Sequence, residues 1–341
     1  MIRLACDYQE GCLPAILERL QETNLVSAPG YGDDEFSERA RTLIREACKA
    51  PDARVYFLEG GTQTNSIAIH AMLAGYEGVL AAETGHIAVH EAGAVEARGH
   101  KVITLPQKDG KITAGSIEKW MEAFLRDPSK DHVVQPGMVY ISQPTEFGTL
   151  YSLSELEAIS ASCRRHGLPL FIDGARMAYG LASEANDASL ADIARLADVF
   201  YIGGTKCGAL IGEALVVTNP RLMKHFFTLQ KQQGAVLAKG RLLGINFEVL
   251  MSGGNYLKAG RHGVRLAQKI RAALIEKGYE LFVDSRTNQI FAWLDDEDLK
   301  RIGEKAAISI WERRDDGKTL CRFCTSWATR EEDVDQVLSL L

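Results

Sequence analysis

No stretch of this 341-residue chain is apolar for long enough to cross a bilayer as a helix. The opening residues, Met1-Ile2-Arg3-Leu4-Ala5-Cys6-Asp7, lack the apolar segment of a secretory leader. Cysteine is sparse and odd in number, with seven residues scattered at positions 6, 12, 48, 163, 207, 321 and 324. That pattern argues against a disulfide framework and for reduced thiols, so a cytoplasmic setting is expected. Cys321 and Cys324 form a C-x-x-C, but no second pair has metal-ligand spacing. The segment around them reads as a strand, which puts the two side chains on opposite faces, so core thiols and no metal site are expected. Basic charge is not in excess either: 39 Lys and Arg face 45 Asp and Glu, for a net charge of −6. Overall electrostatics therefore exclude a charge-driven nucleic-acid binder. The short basic cluster Cys163-Arg164-Arg165-His166 reads as a solvated helix end. Internal repeats and low-complexity segments are absent.

What is present is the balance of a globular protein, with 46% hydrophobic and 25% charged residues. From about residue 54 to 218, short apolar runs alternate with helical patterns. Strands are expected at 54–58, 78–82, 101–105, 138–142, 168–172, 198–202 and 214–218, with helices at 62–76, 90–98, 116–125 and 153–166. Such alternation builds a mainly parallel sheet covered on both faces. Ser152-x-x-Glu155 is a capping box. After residue 220 the pattern changes. A long helical stretch is expected over 221–251, then a break at Ser252-Gly253-Gly254-Asn255, a strong amphipathic helix over 256–277, strands at 289–294, 308–312 and 320–325, and a final helix capped by Thr329. The expected division is a large α/β domain over 1–251, including an N-terminal arm, and a small α+β domain over 252–341.

Two strand ends carry the chemistry. Leu170-Phe171-Ile172-Asp173-Gly174 ends an apolar run in a carboxylate, and Val199-Phe200-Tyr201-Ile202-Gly203-Gly204-Thr205-Lys206 ends another in a lysine. Ligands of open α/β sheets sit beyond such ends. Alone, the first is an ordinary turn and the second a surface lysine. Together they supply what pyridoxal phosphate (PLP) requires: an acid for its pyridine nitrogen and an amine for a Schiff base. Glu59-Gly60-Gly61-Thr62-Gln63-Thr64-Asn65 joins a strand to a helix whose N-terminus suits a phosphate, though a plain glycine turn explains it as well. It lacks the Lys-Ser/Thr of a nucleotide P-loop, and G-x-G-x-x-G is missing after the first strand, which weighs against a dinucleotide site. His86, after the strand at 78–82, is placed to stack on a cofactor ring. His90 reads as structural. Arg322 lies in an apolar strand, where its fork suits a substrate carboxylate, or an internal acidic partner.

Tyr31-Gly32-Asp33-Asp34, Gly61-Thr62-Gln63-Thr64-Asn65, His86 with Glu91-Ala92-Gly93, Thr145-Glu146-Phe147-Gly148, Asp173-Gly174-Ala175-Arg176, Gly204-Thr205-Lys206 and Arg322-Phe323-x-Thr325-Ser326 occur in that order. With these marks the chain resembles the low-specificity threonine aldolases and the wider β-eliminating lyase family of PLP enzymes, most closely the phenylserine aldolase branch, over nearly its whole length. The resemblance implies a fold-type-I architecture and a homodimer or homotetramer with active sites at the subunit interface. It implies Lys206 as the Schiff-base lysine, His86 as the stacking base, and Gly61 and Thr62 as the phosphate turn. Arg241 matches an arginine that reaches a neighbouring subunit's phosphate. Arg176 and Arg322 match arginines near the cofactor and the substrate carboxylate, and Tyr31 an active-site tyrosine. Two positions depart from the common pattern: Cys6 precedes Asp7 where a serine that helps hold the carboxylate is usual, and Glu146 stands where a second histidine is usual, as in the phenylserine branch.

The implied reaction is retro-aldol cleavage of a β-hydroxy-α-amino acid to glycine and an aldehyde, with Arg322 and Arg176 clamping the carboxylate. Glu146, His86 or a water between them would take the hydroxyl proton. The alternatives are β-elimination on the same scaffold and a catalytically idle PLP-binding protein.

Overall fold

The computed structural model describes residues 1–341. Eleven strands form two sheets: β1 (Ile2–Leu4), β2 (Arg54–Leu58), β3 (Glu77–Ala82), β4 (Val102–Leu105), β5 (Gln135–Ser142), β6 (Leu170–Asp173), β7 (Val199–Gly203), β8 (Glu213–Val217), β9 (Gln289–Leu294), β10 (Ala306–Arg313) and β11 (Thr319–Cys324). The larger sheet has the order β2-β8-β7-β6-β5-β3-β4. Only β8 runs against its neighbours, so the sheet is mainly parallel, as expected.

Strands covered on both sides must be apolar on both sides, and β7 and β8 are buried at every position. Alternation along each strand feeds two cores. Ile172, Phe200 and Ile202 join a 42-residue cluster on one face; Tyr140, Phe171 and Tyr201 join a 19-residue cluster on the other. The strand ends are brought close where Gly174 packs on β7: a Cβ there would lie 1.9 Å from the Tyr201 carbonyl oxygen. This close approach explains the glycine after Asp173.

The second sheet has the order β1-β10-β11-β9. Its edge strand β1 pairs in parallel with β10, Ile2 opposite Ala306, so the N-terminal residues belong to this sheet and not to the large domain assigned to 1–251. The helix Asn255–Glu276 spans the expected boundary region. Tyr256 and Val264 pack into the large core, whereas Leu266, Ala267, Ile270 and Leu274 pack into the second.

Three local expectations fail, each for a backbone reason. The helix expected over 90–98 is instead a single turn, His86–Val89, followed by a loop and a short 3-10 turn, Glu96–Arg98. Ala92 and Gly93 take positive φ of 51° and 70°, which no helix interior accommodates. The helix expected over 221–251 divides into Pro220–Leu222, Phe226–Gln232 and Arg241–Met251, with left-handed backbone at His225 and Gly234. Thr329 does not cap the last helix. Its hydroxyl accepts from the Ser326 N–H at 2.8 Å, and Arg330 occupies the cap position.

Candidate active site

At the carboxyl ends of β5, β6 and β7 lies a cavity of about 360 Å³. Asp173 and Lys206 both line it, together with Gly61, Thr62, His86 and Glu146. The structure thus brings together the residues on which the sequence argument rests, including the two independent strand ends.

Asp173 is 4% exposed. Its Oδ2 accepts from the Tyr140 hydroxyl at 2.5 Å and the Asn65 amide at 3.0 Å, and its Oδ1 from the Ala175 N–H at 2.9 Å. Burial pushes its pKa up, but His86, Tyr140, Tyr201 and Asn65 outweigh that and hold it below the ordinary carboxylate value. A carboxylate kept ionised in a buried place is suited to a cationic partner. Lys206 follows β7 in a 3-10 turn, Thr205–Cys207. Burial, reinforced by the Arg176 charge, lowers its amine below the ordinary lysine value, despite Asp7, Asp173 and Glu213 nearby. A lowered amine is more often neutral and nucleophilic.

The helix Gly61–Met72 starts at the cavity wall, and no side chain caps it. Its first-turn amides therefore face the cavity with the positive end of the helix dipole behind them. The close approach of Gly61 to Tyr201, whose hydroxyl would lie 3.1 Å from an added Cβ, favours glycine there.

His86 opens its short turn with Nδ1 2.7 Å from Glu91 Oε1 and its backbone N–H donating to Glu146 Oε1 at 2.9 Å. The Ser142 hydroxyl donates to the same Glu146 oxygen at 2.7 Å. Burial raises the Glu146 pKa, with the Ser142 hydrogen bond opposing it.

Arg176 reaches the cavity but is committed elsewhere. Its guanidinium grips Asp7 with Nε–Oδ2 at 2.7 Å and Nη2–Oδ1 at 3.0 Å. Asn288 donates a third hydrogen bond to Asp7, at 2.9 Å. Burial alone would raise the Asp7 pKa; the charges of Arg176 and Lys206 bring it down to about 2.

Arg322 has no acidic partner. It donates to the Ala5 carbonyl at 2.8 Å, Gln289 Oε1 at 3.0 Å and the Ser309 hydroxyl at 3.2 Å, all neutral acceptors, and its buried Nε has none. The internal ion pair considered from sequence is not formed. The guanidinium lies 5.4 Å from the Trp311 ring, and Trp311 meets His90 edge-on at 6.1 Å. His90, read from sequence as structural, lines the cavity, 5.7 Å ring to ring from His86. Cys6 interacts with Tyr8, which also lines the cavity.

Four expected residues are not among those that line this cavity: Cys6 and Arg322, which sit behind it, and Tyr31 and Arg241, which stand apart. Tyr31 is 47% exposed and lines a different cavity, with the Lys231 amine 4.3 Å above its ring. Arg241 donates to the Val26 and Asn24 carbonyls, at 2.5 and 3.1 Å.

Sequence reasoning missed Glu213, Asn65 as a partner of Asp173, and the Arg176–Asp7 pair. Glu213 opens β8 on the cavity wall. Its Oε2 accepts from the Gly204 N–H at 3.0 Å, and burial, partly offset by Lys206, pushes its pKa up to about 8. A charged residue heading a fully buried strand, Glu213-Ala214-Leu215-Val216-Val217, was the available signal.

Comparison with known proteins agrees with this geometry. The family model described as beta-eliminating lyase matches residues 4–297. A low-specificity L-threonine aldolase from a Pseudomonas species is 32% identical, covering 98% of this chain and 95% of that protein. One from Pseudomonas aeruginosa is 30% identical, covering 99% and 95%. The solved structure of Leishmania major threonine aldolase superposes with a TM-score of 0.97 at 44% identity, covering 100% of this chain and 98% of that one. The fold-type-I expectation is therefore met, and the chain belongs to the β-eliminating lyase family, alongside the low-specificity L-threonine aldolases.

Proposed function

We propose that the chain is a PLP-dependent aldolase that splits a β-hydroxy-α-amino acid, such as threonine, allo-threonine or phenylserine, into glycine and an aldehyde. The observation that carries this reading is one cavity holding a lowered amine at Lys206, an ionised carboxylate at Asp173 and an uncapped helix start at Gly61 and Thr62. These residues fit PLP. Asp173 would hold its pyridine nitrogen, Lys206 its aldehyde carbon, and the amides of the helix start its phosphate. The group supplies, when bound, an electron sink that makes a Cα–Cβ bond labile.

The chain's own residues supply the rest. Arg322, whose hydrogen bonds all go to neutral groups, anchors the substrate carboxylate, with Cys6 beside it against Tyr8. Arg176 acts through Asp7, keeping a paired charge next to Lys206. In this reading His86, Glu146 or a water between them takes the β-hydroxyl proton, and the Glu146 oxygen ties down the His86 backbone. Fixing the substrate in this way orients the bond that breaks.

The same reading makes the protein a cytoplasmic homodimer or homotetramer, in which Tyr31 and Arg241 serve the neighbouring subunit's site. Product analysis tests the function. Incubation of the cofactor-loaded protein with a panel of β-hydroxy-α-amino acids is expected to yield an aldehyde and glycine in equal amounts. Ammonia with a keto acid would replace this reading with β-elimination, and no turnover of any substrate would replace it with a binding role.

A further inference from the structure

His86 is not a free ring. Glu91 Oε1 lies 2.7 Å from its Nδ1, and the Glu91 side chain is fully enclosed. The same oxygen lies 2.7 Å from Asn65 Nδ2, and that nitrogen lies 3.0 Å from Asp173 Oδ2. Asn65 is itself fully buried. One side-chain amide therefore bridges two carboxyl groups.

The chemistry of an amide restricts what this bridge permits. Its nitrogen carries two hydrogens and no acceptor, so a nitrogen facing two carboxyl oxygens donates one hydrogen to each. The opposite orientation would press a carbonyl oxygen against two carboxyl oxygens, a repulsion that burial makes costlier than the unpartnered Oδ1 of the orientation seen. Glu91 Oε1 is thus an acceptor towards Asn65. With Glu91 as a carboxylate, this oxygen accepts from His86 as well, so the hydrogen between them sits on Nδ1. A neutral His86 then carries its lone pair on Nε2, the nitrogen left to the cavity. The requirement runs back to Asp173, because Asn65 is held in its orientation by both carboxyl groups.

We propose that Glu91 is a positioning residue which, locked by Asn65, fixes the Nδ1–H form of His86 and so makes His86 Nε2 the acceptor of the substrate's β-hydroxyl proton. This rests on the aldolase reading. In the step itself the O–H proton goes to Nε2, and the O–H electron pair becomes the second C–O bond of the aldehyde. The Cα–Cβ pair departs with the glycine portion, whose Cα then takes up a proton. Glu91 touches neither substrate nor cofactor. Exchange of glycine's own α-proton involves no β-hydroxyl and does not draw on this acceptor.

Two measurements test the proposal. Imidazole nitrogen NMR on isotope-labelled holoenzyme, with His86→Gln to assign the signal, is expected to show hydrogen on Nδ1 and a bare Nε2. A bare Nδ1 overturns the proposal, whether or not any variant folds and whether or not the protein is an aldolase. Kinetics supply the second. Glu91→Leu removes the acceptor and is expected to give a mixed tautomer and cleavage slowed about 100-fold, with glycine α-proton exchange slowed less than about threefold. Glu91→Gln keeps an acceptor oxygen and is expected to restore Nδ1–H and return cleavage to within about tenfold of wild type. Equal losses of cleavage in both variants, with the tautomer unchanged, overturn it. Failure of the wild-type protein to cleave any β-hydroxy-α-amino acid would instead sink the aldolase reading and leave the tautomer result standing.

Discussion

Arg176 and Asp7, 169 residues apart, form a two-pronged pair inside the protein, with side chains 11% and 0% exposed. The pair joins the loop after β6 to the residues that follow β1, and so ties the N-terminus to the floor of the active site. From sequence, Arg176 is a substrate or cofactor ligand. In the structure its fork is occupied by Asp7, which leaves Arg322 as the arginine without an acidic partner.

Breaking this pair leaves a buried charge unpaired, so Asp7→Ala is expected to lower stability by about 3–5 kcal/mol. The pair also sets an acid limit. The folded Asp7 pKa, about 2, lies below its ordinary 3.8. Its contribution of about 2 kcal/mol is therefore complete above pH ~4 and lost as pH falls towards 2. Denaturant titrations of wild type and Asp7→Asn across that range check this; parallel curves would refute it.

Glu213 gives the opposite dependence. Its pKa, pushed up to about 8 by burial from an ordinary 4.5, makes the folded state hold a proton that the unfolded chain releases. Stability is lost as pH rises from 4.5 through 8. Glu213→Gln cannot ionise, so its stability relative to wild type should climb across that window and level off above it. A constant difference between the two proteins would mean that Glu213 ionises normally.

Arg322→Ala should raise the KM for amino-acid substrates about 10- to 100-fold, the worth of a charged hydrogen-bonded carboxylate contact, with kcat changed little and cofactor retained. Steady-state kinetics decide this. An unchanged KM would make Arg322 a structural residue that merely joins Ala5, Gln289 and Ser309.

Glu146 holds His86 through an acceptor oxygen, a role an amide oxygen can fill. Glu146→Gln is therefore expected to keep cleavage within about tenfold of wild type, whereas Glu146→Leu loses about 100-fold. If the glutamine variant is as impaired as the leucine one while glycine α-proton exchange survives in both, the carboxyl itself exchanges the proton.

The sequence made the scaffold legible because its strands are short apolar runs ended by functional residues. Asp173 and Lys206 each terminate such a run, and the sheet order brings their ends together. What it hid are contacts between distant segments. Asn65 reads as part of a helix start, yet its amide links Asp173 to Glu91, 108 and 26 residues away. Asp7 reads only as part of an N-terminal arm, yet it is fully buried against Arg176. The segment 90–98 looked helical because its composition permits a helix; the helical turn instead ends at Val89, and positive φ at Ala92 and Gly93 keeps the chain from resuming it, while Glu91 meets His86. Tyr31 and Arg241 are placed by the chain away from its own cavity, and no intrachain pattern announces that.

The central claim is that Lys206 holds the cofactor. Borohydride reduction of the PLP-loaded protein, followed by peptide mass spectrometry, tests it most directly. The account predicts a pyridoxyl adduct on the peptide containing Lys206 and none in Lys206→Ala. An adduct on another lysine, or none in the wild-type protein, would contradict it.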